Sequence, residues 1–488
     1  MKFSFSKTYI NMPLPAKASF WFIVCSVIQK GIAFFTTPIF TRLLIPEEYG
    51  VIGVYNSWHS ILTVFITLQL STGVFNKAMI RYEGHRDQYT SSMLFLTSCA
   101  TLLAYAIYLS AHLVFDKLFG LSFVLVSFIF GEIFFTEAMS FWSIRHRFEY
   151  EYKSVIFYTL ASNIIGTGLS VILVLLIPQN RVLAKVGGTF AVHVLIYSYL
   201  YARIIHKGKK VIWPGAWKYA IQYNLPLIPH YLSQQILNHS DRIMIGMMCG
   251  AKDAAIYTIA YQMSMVLNII TSAISTSFTP WAYEKIKTKI INELGPLALM
   301  IVVFTGIGCL VFTLLAPELS FILGGNEYSD AIWVVPPVCM SVLFIMIYSL
   351  ISTITFYFEK TKSIMMSSCL IAGLNILLNY IFIPMYGAPA GGYTTLVCYV
   401  VYSAVHYKLM SKTCKDNGLV NPFNTKLIFG TGIGFAIMAI LCSITYIHTW
   451  MRYLLILFIL VISITFSTKY GVYLQKFLRY LKKDEERY

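Results

Sequence analysis

Charged residues are scarce in this chain, and no long polar segment interrupts it. Asp, Glu, Lys and Arg together make up 12% of the 488 residues, whereas 57% are hydrophobic and the mean hydropathy is +0.68. A soluble domain carries about 25% charged residues. This deficit excludes an ordinary soluble globular protein and indicates a protein that is embedded in a membrane.

The chain also lacks the short motifs that carry common enzymatic chemistry. It has no Gly-rich phosphate loop ending in Lys-Ser/Thr and no H-E-x-x-H pair. Its nine cysteines are scattered mostly through apolar stretches without a C-x-x-C pair, which is typical of small buried hydrophobic residues rather than metal ligands or disulfides. We therefore expect no enzyme activity, no cofactor and no bound metal.

Apolar runs separated by charged, Gly or Pro breaks predict about fourteen membrane-spanning helices of about 20 residues each. The predicted spans lie near residues 18–41, 49–76, 91–115, 118–142, 154–177, 183–205, 220–248, 254–279, 296–316, 331–357, 363–384, 389–410, 426–447 and 451–470. The polar N-terminus leads into the first span without a small-residue cleavage site, so we expect this span to be retained. The predicted fold class is an all-α polytopic membrane protein.

Most of the 37 Lys and Arg residues lie on one side of the predicted membrane. That side holds the N-terminus, the HKGKK segment that ends near residue 210 and the basic C-terminal tail. Because Lys and Arg are retained on the cytoplasmic side, both termini are predicted to be cytoplasmic. Such a belt of charge accounts for the net charge of +16 without nucleic acid, and we expect no nucleic-acid partner.

The two halves of the chain align with each other at one constant offset. It places Gln29 on Gln234 and Tyr197 on Tyr402, and it keeps the order of the spans and the loop charges in step. Because six spans are an even number, both halves would insert with the same orientation, and a transport site would lie between them. We predict a six-helix lobe over 1–210, a second lobe over 211–415, and two extra helices with a basic tail over 416–488.

The most informative polar residues lie within the seventh predicted span. A charge at the bilayer centre costs at least about 2.5 kcal/mol on insertion scales, so such residues persist where they face a bundle interior or water. Helical spacing gathers these residues on one broad face, which we expect to line a lumen. They are Gln234, Gln235, Asn238, His239, Asp241 and Arg242.

Four stretches resemble the signature segments of Wzx-type polysaccharide-biosynthesis membrane proteins of the multidrug/oligosaccharidyl-lipid/polysaccharide (MOP) exporter superfamily. They are TPIFTRLLIPEEYGVIGVYNS, DRIMIGMMCGAKDAAIYTIAYQ, STSFTPWAYEKI and LNILLNYIFIPMYGAPAGGYTT. The resemblance runs over nearly the whole chain and implies a flippase for an undecaprenyl-diphosphate-linked oligosaccharide, such as an O-antigen, capsule or exopolysaccharide repeat unit. It places the protein in the bacterial inner membrane. Its implied partners are the lipid-linked oligosaccharide, membrane lipids and the polysaccharide polymerase and chain-length machinery.

Such a cargo needs cations for the diphosphate and polar groups for the sugar. Lys30 and Arg242 are the candidate cations, since Arg pairs bidentately with phosphate and Lys acts as a compact charge. Two alternatives stay open, namely that Arg242 pairs with Asp241 and that Lys30 reaches towards an interface. The candidate sugar-binding stripes are Tyr257, Tyr261, Ser264, Asn268, Thr271 and Ser275 in span eight and Asn56, Ser60, Thr63 and Thr67 in span two. Their hydroxyls could instead bond to their own backbone.

Glu132 in span four is the remaining deep acid, and Glu137 lies nearer the predicted cytoplasmic side. A desolvated carboxyl group can exchange a proton during a transport cycle, so Glu132 is a candidate for ion coupling. A structural hydrogen bond to a neighbouring helix explains it equally well. Spans thirteen and fourteen lie outside the duplicated unit, and they form either a groove for a lipid tail, an inert appendage or an oligomer contact.

Two other functions compete with the flippase. A cation-coupled multidrug exporter of the same superfamily (the MATE type) would show a similar repeat, but it typically has twelve spans and an acid-lined lobe for cationic drugs. A polysaccharide polymerase or ligase would act on the same lipid-linked sugars, but it usually needs a large periplasmic loop. The candidate lumen residues include the cations Lys30 and Arg242, which favours an anionic cargo over a cationic drug. The predicted periplasmic loops are all short, which argues against a polymerase or ligase.

Overall fold

The computed structural model describes residues 13–461, and this part of the chain is helical with no strand. The helices of its first half are α1 (Leu14–Leu43), α2 (Pro46–Thr67), α3 (Gly73–Arg81), α4 (Arg86–Ser110), α5 (His112–Phe119), α6 (Phe123–Arg147), α7 (Tyr152–Leu176), α8 (Arg181–Gly208) and α9 (Pro214–Asn224). The second half continues with α10 (Ile228–Met248), α11 (Ala251–Lys287), α12 (Leu294–Leu314), α13 (Ala316–Gly324), α14 (Val335–Tyr357), α15 (Thr361–Tyr386), α16 (Ala388–Asp416), α17 (Thr425–Ser443) and α18 (Thr449–Val461).

Ten of the described helical segments are long and apolar enough to cross a membrane. They are Lys17–Leu43, Glu83–Ser110, Phe123–Arg147, Tyr152–Leu176, Arg181–Gly208, Ala251–Lys287, Ile291–Leu314, Val335–Tyr357, Thr361–Tyr386 and Thr425–Ile447. The remaining predicted spans fall on α2, α10 and α16, which are long but more polar, and on α18. The end of the fourteenth predicted span and the basic tail lie outside the described residues. The protein is therefore an all-α, multi-pass membrane protein, as the sequence predicts.

Several predicted spans differ from the observed helices by five or more residues at one end, and in the second and seventh spans the backbone shows why. The second was expected to continue to residue 76, but α2 ends at Thr67 because Leu68 and Gln69 adopt left-handed backbone angles (φ +53° and +51°) that turn the chain. The seventh was expected to begin near residue 220. A 3₁₀ turn at Leu225–Leu227 contains Pro226, which lacks the N–H that a continuous helix would use, and α10 begins only at Ile228.

The structure divides into two compact units, the first ending at His239 and the second beginning at Ser240. The division falls inside α10, whereas the sequence places the lobe boundary near residue 210. The three-part organisation and the internal repeat stay predictions.

Helices α4, α6, α7 and α8 form the body of the first unit, with α1 packed on α7 and the short helices α3 and α9 packed on each other. A core of large apolar side chains, including Phe75, Tyr89, Phe141 and Trp142, fills the space beside α3. Burial of this apolar surface fixes α3 against the membrane helices and leaves its opposite face exposed.

Helix α14 is the centre of the second unit. It contacts α11, α12, α16 and α17, and most of its side chains are buried. The outer helices carry exposed aliphatic and aromatic residues such as Leu370, Leu377 and Ile437. In water such faces would be unfavourable, but against lipid tails they are the expected surface of a membrane protein.

Candidate functional site

Arg242 lies on α10 with its side chain almost fully inside the second unit. The residue is 9% exposed, and its guanidinium group stands 4.3 Å from the centre of the Tyr261 ring on α11. A guanidinium at this distance from an aromatic face forms a cation–π contact, which strengthens when water is excluded. The two predicted site residues Arg242 and Tyr261 are therefore brought together.

Asp241, the neighbour of Arg242, accepts hydrogen bonds from three other helices. The Tyr257 hydroxyl donates to Oδ2 over 2.5 Å and the Thr395 hydroxyl to the same oxygen over 2.6 Å. The amide groups of Asn379 and Asn375 donate to Oδ1 over 2.6 and 3.3 Å. Asp241 is 1% exposed, so these contacts are made away from solvent.

The amide oxygens of the two asparagines are used as well. Asn375 accepts from the Ser240 hydroxyl over 2.7 Å, and Asn379 accepts from the Thr394 hydroxyl. A buried network stabilises a structure when every member has a partner, because an unpaired polar group in a low-dielectric interior is costly. This network joins α10, α11, α15 and α16 and holds the turn of α10 that carries Arg242.

Local sequence explains why the helices can approach so closely. Asn375 and Asn379 are one helical turn apart, so α15 presents both amides on one face. Gly391 lies in the first turns of α16, and a Cβ atom there would stand only 3.0 Å from Ile245 Cδ1 and 3.2 Å from the Tyr257 ring. Glycine at this position therefore permits the approach of α16 to α10 and α11.

The hydroxyl groups of the two predicted stripes bond largely within their own helices. Ser60, Thr63 and Thr271 each donate to the carbonyl four residues earlier, over 2.9, 2.7 and 3.0 Å. Asn268 donates a long hydrogen bond of 3.5 Å to the Ser264 carbonyl. These bonds use the donors but leave hydroxyl oxygens able to accept, so the stripes stay a prediction.

The other predicted residues are spread over both units. Gln234, Gln235 and Asn238 are half-buried on α10, in the part that belongs to the first unit. Asn56 on α2 is exposed, and Lys30 on α1 is half-buried and forms no ion pair with any residue between 13 and 461.

Glu132 on α6 is buried in the first unit and paired with a histidine that the sequence analysis did not select. Its Oε2 atom lies 2.7 Å from Nδ1 of His193 on α8. The His193 ring stacks on Tyr197, whose hydroxyl donates to Ser162 over 2.9 Å. Glu132 thus sits in a chain of polar groups that links α6, α7 and α8.

Two side chains of α2 extend the surroundings of Glu132. Nε2 of His59 and the hydroxyl of Tyr55 are buried and have no hydrogen-bond partner among the described residues. Both groups, together with Lys185 on α8, lie within electrostatic reach of Glu132. The surroundings of this buried acid therefore include ionisable groups from both α2 and α8.

The sequence did contain a signal for the residues that were missed. His59 and His193 lie in apolar helices, and Asn375 and Asn379 recur one turn apart within LNILLNY. Intramembrane polar residues are functional candidates in general, but the pattern alone does not tell which helices they face. Among the described residues no group of three or more His, Cys, Asp or Glu side chains is placed to hold a metal ion.

Comparison with solved structures defines the class of the fold. The chain superposes on the lipid II flippase MurJ in an inward closed conformation with a TM-score of 0.68 at 14% identity, covering 94% of this chain and 98% of that one. It superposes on an inward-facing multidrug-resistance MATE-family transporter of the MOP superfamily with a TM-score of 0.59 at 14% identity, covering 79% and 95%. The chain therefore has the fold of MOP-superfamily transporters.

The sequence comparison identifies the family within that class. The family model described as polysaccharide biosynthesis protein matches residues 16–286, which is more than half of the chain, and the chain belongs to this family. It is also 25% identical over 154 residues to the Lsg locus putative protein 1 of Haemophilus influenzae. That match spans 31% of this chain and 38% of the relative.

Proposed function

We propose that the protein is a flippase that translocates an undecaprenyl-diphosphate-linked oligosaccharide across the bacterial inner membrane. Its membership of the polysaccharide biosynthesis family and its MOP-superfamily fold support a lipid-linked polysaccharide precursor as the cargo. The observation that carries the proposal is the buried Arg242, held on α10 beside the Asp241 network. A buried cation is costly, and in membrane proteins such residues commonly mark the path of a substrate or an ion.

In this proposal Arg242 binds the diphosphate, and the Tyr261 ring positions the guanidinium group of Arg242. The ring fixes the plane of the guanidinium group through the cation–π contact, and a fixed guanidinium fork loses less entropy when it binds phosphate oxygens. Lys30 supplies a second charge from the other lobe. Asp241, whose carboxylate oxygens already accept four hydrogen bonds, acts as an anchor for α10 rather than as a cargo ligand.

We further propose alternating access by movement of the two predicted lobes, with Glu132 coupling the movement to a cation gradient. The contact between Glu132 Oε2 and His193 Nδ1 joins the acid on α6 to an ionisable partner on α8. Binding of a proton to this pair would alter the attraction between α6 and α8 in the first unit. Such a change is the kind of local event that biases a two-state transporter.

Complementation of a flippase-null, polysaccharide-producing strain tests the proposal. The wild type is expected to restore surface polymer and to clear accumulated lipid-linked units. Arg242→Ala and Tyr261→Leu are expected to lower the transport rate by about tenfold or more, equivalent to about 1.4 kcal/mol, whereas Tyr261→Phe keeps the ring and the activity.

Lys252→Gln is the matched control, since Lys252 is an exposed cation in the first turn of α11. Its loss should leave polymer unchanged, and all variants are compared at equal amounts in the membrane. If the wild type restores no polymer with several sugar donors but exports cationic dyes, the multidrug-exporter function replaces the flippase.

A further inference from the structure

The short helices α3 and α9 of the first unit are held together by one buried side chain. Asn224, at the end of α9, accepts a hydrogen bond from the Val74 backbone N–H over 2.9 Å. Its amide nitrogen donates to the carbonyls of Leu68 and Gln69 over 2.9 and 2.8 Å. Asn224 therefore fixes the end of α9 against the start of α3. The exposed side chains of the two helices are held next to each other as a result.

Two exposed cations of α3 stand over half-buried aromatic rings of α9. The Arg81 guanidinium of α3 stands 4.4 Å from the centre of the Tyr219 ring of α9, and Lys77 Nζ stands 4.8 Å from the Tyr223 ring. Arg81 also lies 5.7 Å from the Tyr82 ring. We call Lys77, Arg81, Lys218, Tyr82, Tyr219 and Tyr223 the cation–aromatic platform.

The platform carries positive charge without acids of its own. Neither α3 nor α9 contains Asp or Glu. The nearest acids along the chain have other partners, because Glu83 contacts Arg86 at 3.4 Å and Asp87 contacts both Arg145 and Lys207. The surface therefore complements an anion rather than a basic partner.

Exposed aliphatic residues flank the platform. Ile80 on α3 is 70% exposed, Ile212 just before α9 is 58% exposed, and Leu225 just after α9 is 57% exposed. Neither short helix is among the segments able to cross the membrane. A short helix with basic, aromatic and exposed aliphatic residues is typical of the boundary between headgroups and lipid tails.

We propose that the cation–aromatic platform binds the phosphate groups of anionic phospholipids in the membrane leaflet that it faces. Arg81 and Lys77 contact the phosphates, and the Tyr219 and Tyr223 rings hold both cations at headgroup depth. Ile80, Ile212 and Leu225 enter the adjacent apolar layer. This combination selects a lipid over a soluble phosphate, because a soluble ion gains nothing from the exposed aliphatic side chains.

The binding can be measured by quenching of Trp213, whose ring lies 5.2 Å from Tyr82. The full-length protein is reconstituted with brominated phosphatidylglycerol or brominated phosphatidylcholine, and the signal of Trp213 is the difference between the wild type and Trp213→Phe. Phosphatidylglycerol is expected to quench this signal at a lower mole fraction. Arg81→Gln should weaken that preference about fivefold, the ratio that corresponds to about 1 kcal/mol for one cation.

Lys412→Gln is the matched control, because Lys412 is an exposed cation near the end of α16, outside the platform. It should keep the preference, as should the charge-preserving variant Arg81→Lys, which guards against a folding defect in Arg81→Gln. Tyr219→Leu should lose part of the preference for phosphatidylglycerol, because Arg81 loses the ring that it stands over. Equal quenching by the two lipids, an equal loss in Lys412→Gln, or displacement of the lipid by excess inorganic pyrophosphate would each overturn the proposal.

Discussion

At the scale of single residues, the contribution of Asp241 to stability depends on the four hydrogen bonds that its carboxylate accepts. Asn at this position would turn one acceptor oxygen into an NH₂ group that faces donor groups. We expect Asp241→Asn to lower the free energy of unfolding by about 2–4 kcal/mol. Thr395→Val removes two interhelical hydrogen bonds, the one donated to Asp241 and the one accepted from Asn375, and should cost about 1.2 kcal/mol. Both changes are measured by unfolding the purified protein in detergent. Equal losses of unfolding free energy in the two variants would contradict the prediction that Asp241 contributes more than one of its hydrogen-bond partners.

Glu132 and its histidine partner make a second prediction at this scale. If the pair couples transport to protons, Glu132→Gln should remove the dependence of the transport rate on a proton gradient and slow transport by about tenfold. The assay follows translocation of a lipid-linked sugar in vesicles with and without the gradient.

Glu137→Gln is the control for Glu132→Gln, because Glu137 is a buried acid on the same helix. It should retain the gradient dependence. If the wild-type transport rate depends on neither a proton gradient nor a sodium gradient, Glu132 has no coupling role.

At the scale of the elements, Asn224 determines how α3 and α9 are attached. Asn224→Ala removes three hydrogen bonds and leaves the Val74 N–H and two carbonyls without that partner. We expect a loss of about 2–3 kcal/mol in the free energy of unfolding, and cleavage of the loop around Gln69 by added protease should become faster. Gln222→Ala, at an exposed position of α9, should change neither quantity.

The contact between α13 and α18 predicts a pH dependence. Arg452 is 3% exposed, and its Nη1 donates to Glu318 Oε2 over 2.7 Å and to the Leu314 carbonyl over 3.1 Å. Burial alone would raise the pKa of Glu318, but the hydrogen bonds from Arg452 and Tyr453 outweigh it and lower the pKa below its ordinary value of 4.5.

Because the folded-state pKa of Glu318 is lowered, its contribution to stability is present above pH 4.5 and is lost as the pH falls through the folded pKa. Glu318→Gln should cost about 2 kcal/mol at neutral pH, since Arg452 loses its partner. The difference between wild type and variant should shrink below pH 4.5, as measured by thermal unfolding. If the stability difference between wild type and Glu318→Gln did not change with pH, the pH dependence would not come from the Glu318 carboxyl group.

At the scale of the whole molecule, the distribution of Lys and Arg predicts the orientation in the membrane. Green fluorescent protein fused after Tyr488 should fluoresce, and alkaline phosphatase fused there should be inactive, because both termini are predicted to be cytoplasmic. Phosphatase fused after Asn180, in a predicted periplasmic loop, should be active. The opposite pattern would reverse the topology.

The fold class was predictable from the sequence, because hydropathy reports directly which segments can be placed in lipid. The site was only partly predictable. Arg242, Asp241, Tyr257 and Tyr261 were selected by their depth and spacing, but the asparagines of α15 come from a helix more than 100 residues later in the chain. Spacing along one helix defines a face, whereas the identity of the facing helix depends on tertiary packing.

The attachment of α3 by Asn224 has a consequence for how the protein is made. The hydrogen bond joins residues 150 positions apart in the chain. At a synthesis rate of about 5–20 residues per second, the loop around Gln69 waits on the order of 10–30 s before its partner leaves the ribosome. During that interval Leu68, Gln69 and Val74 lack their hydrogen bonds to Asn224. The nascent chain therefore depends on the insertion machinery to keep α3 in place.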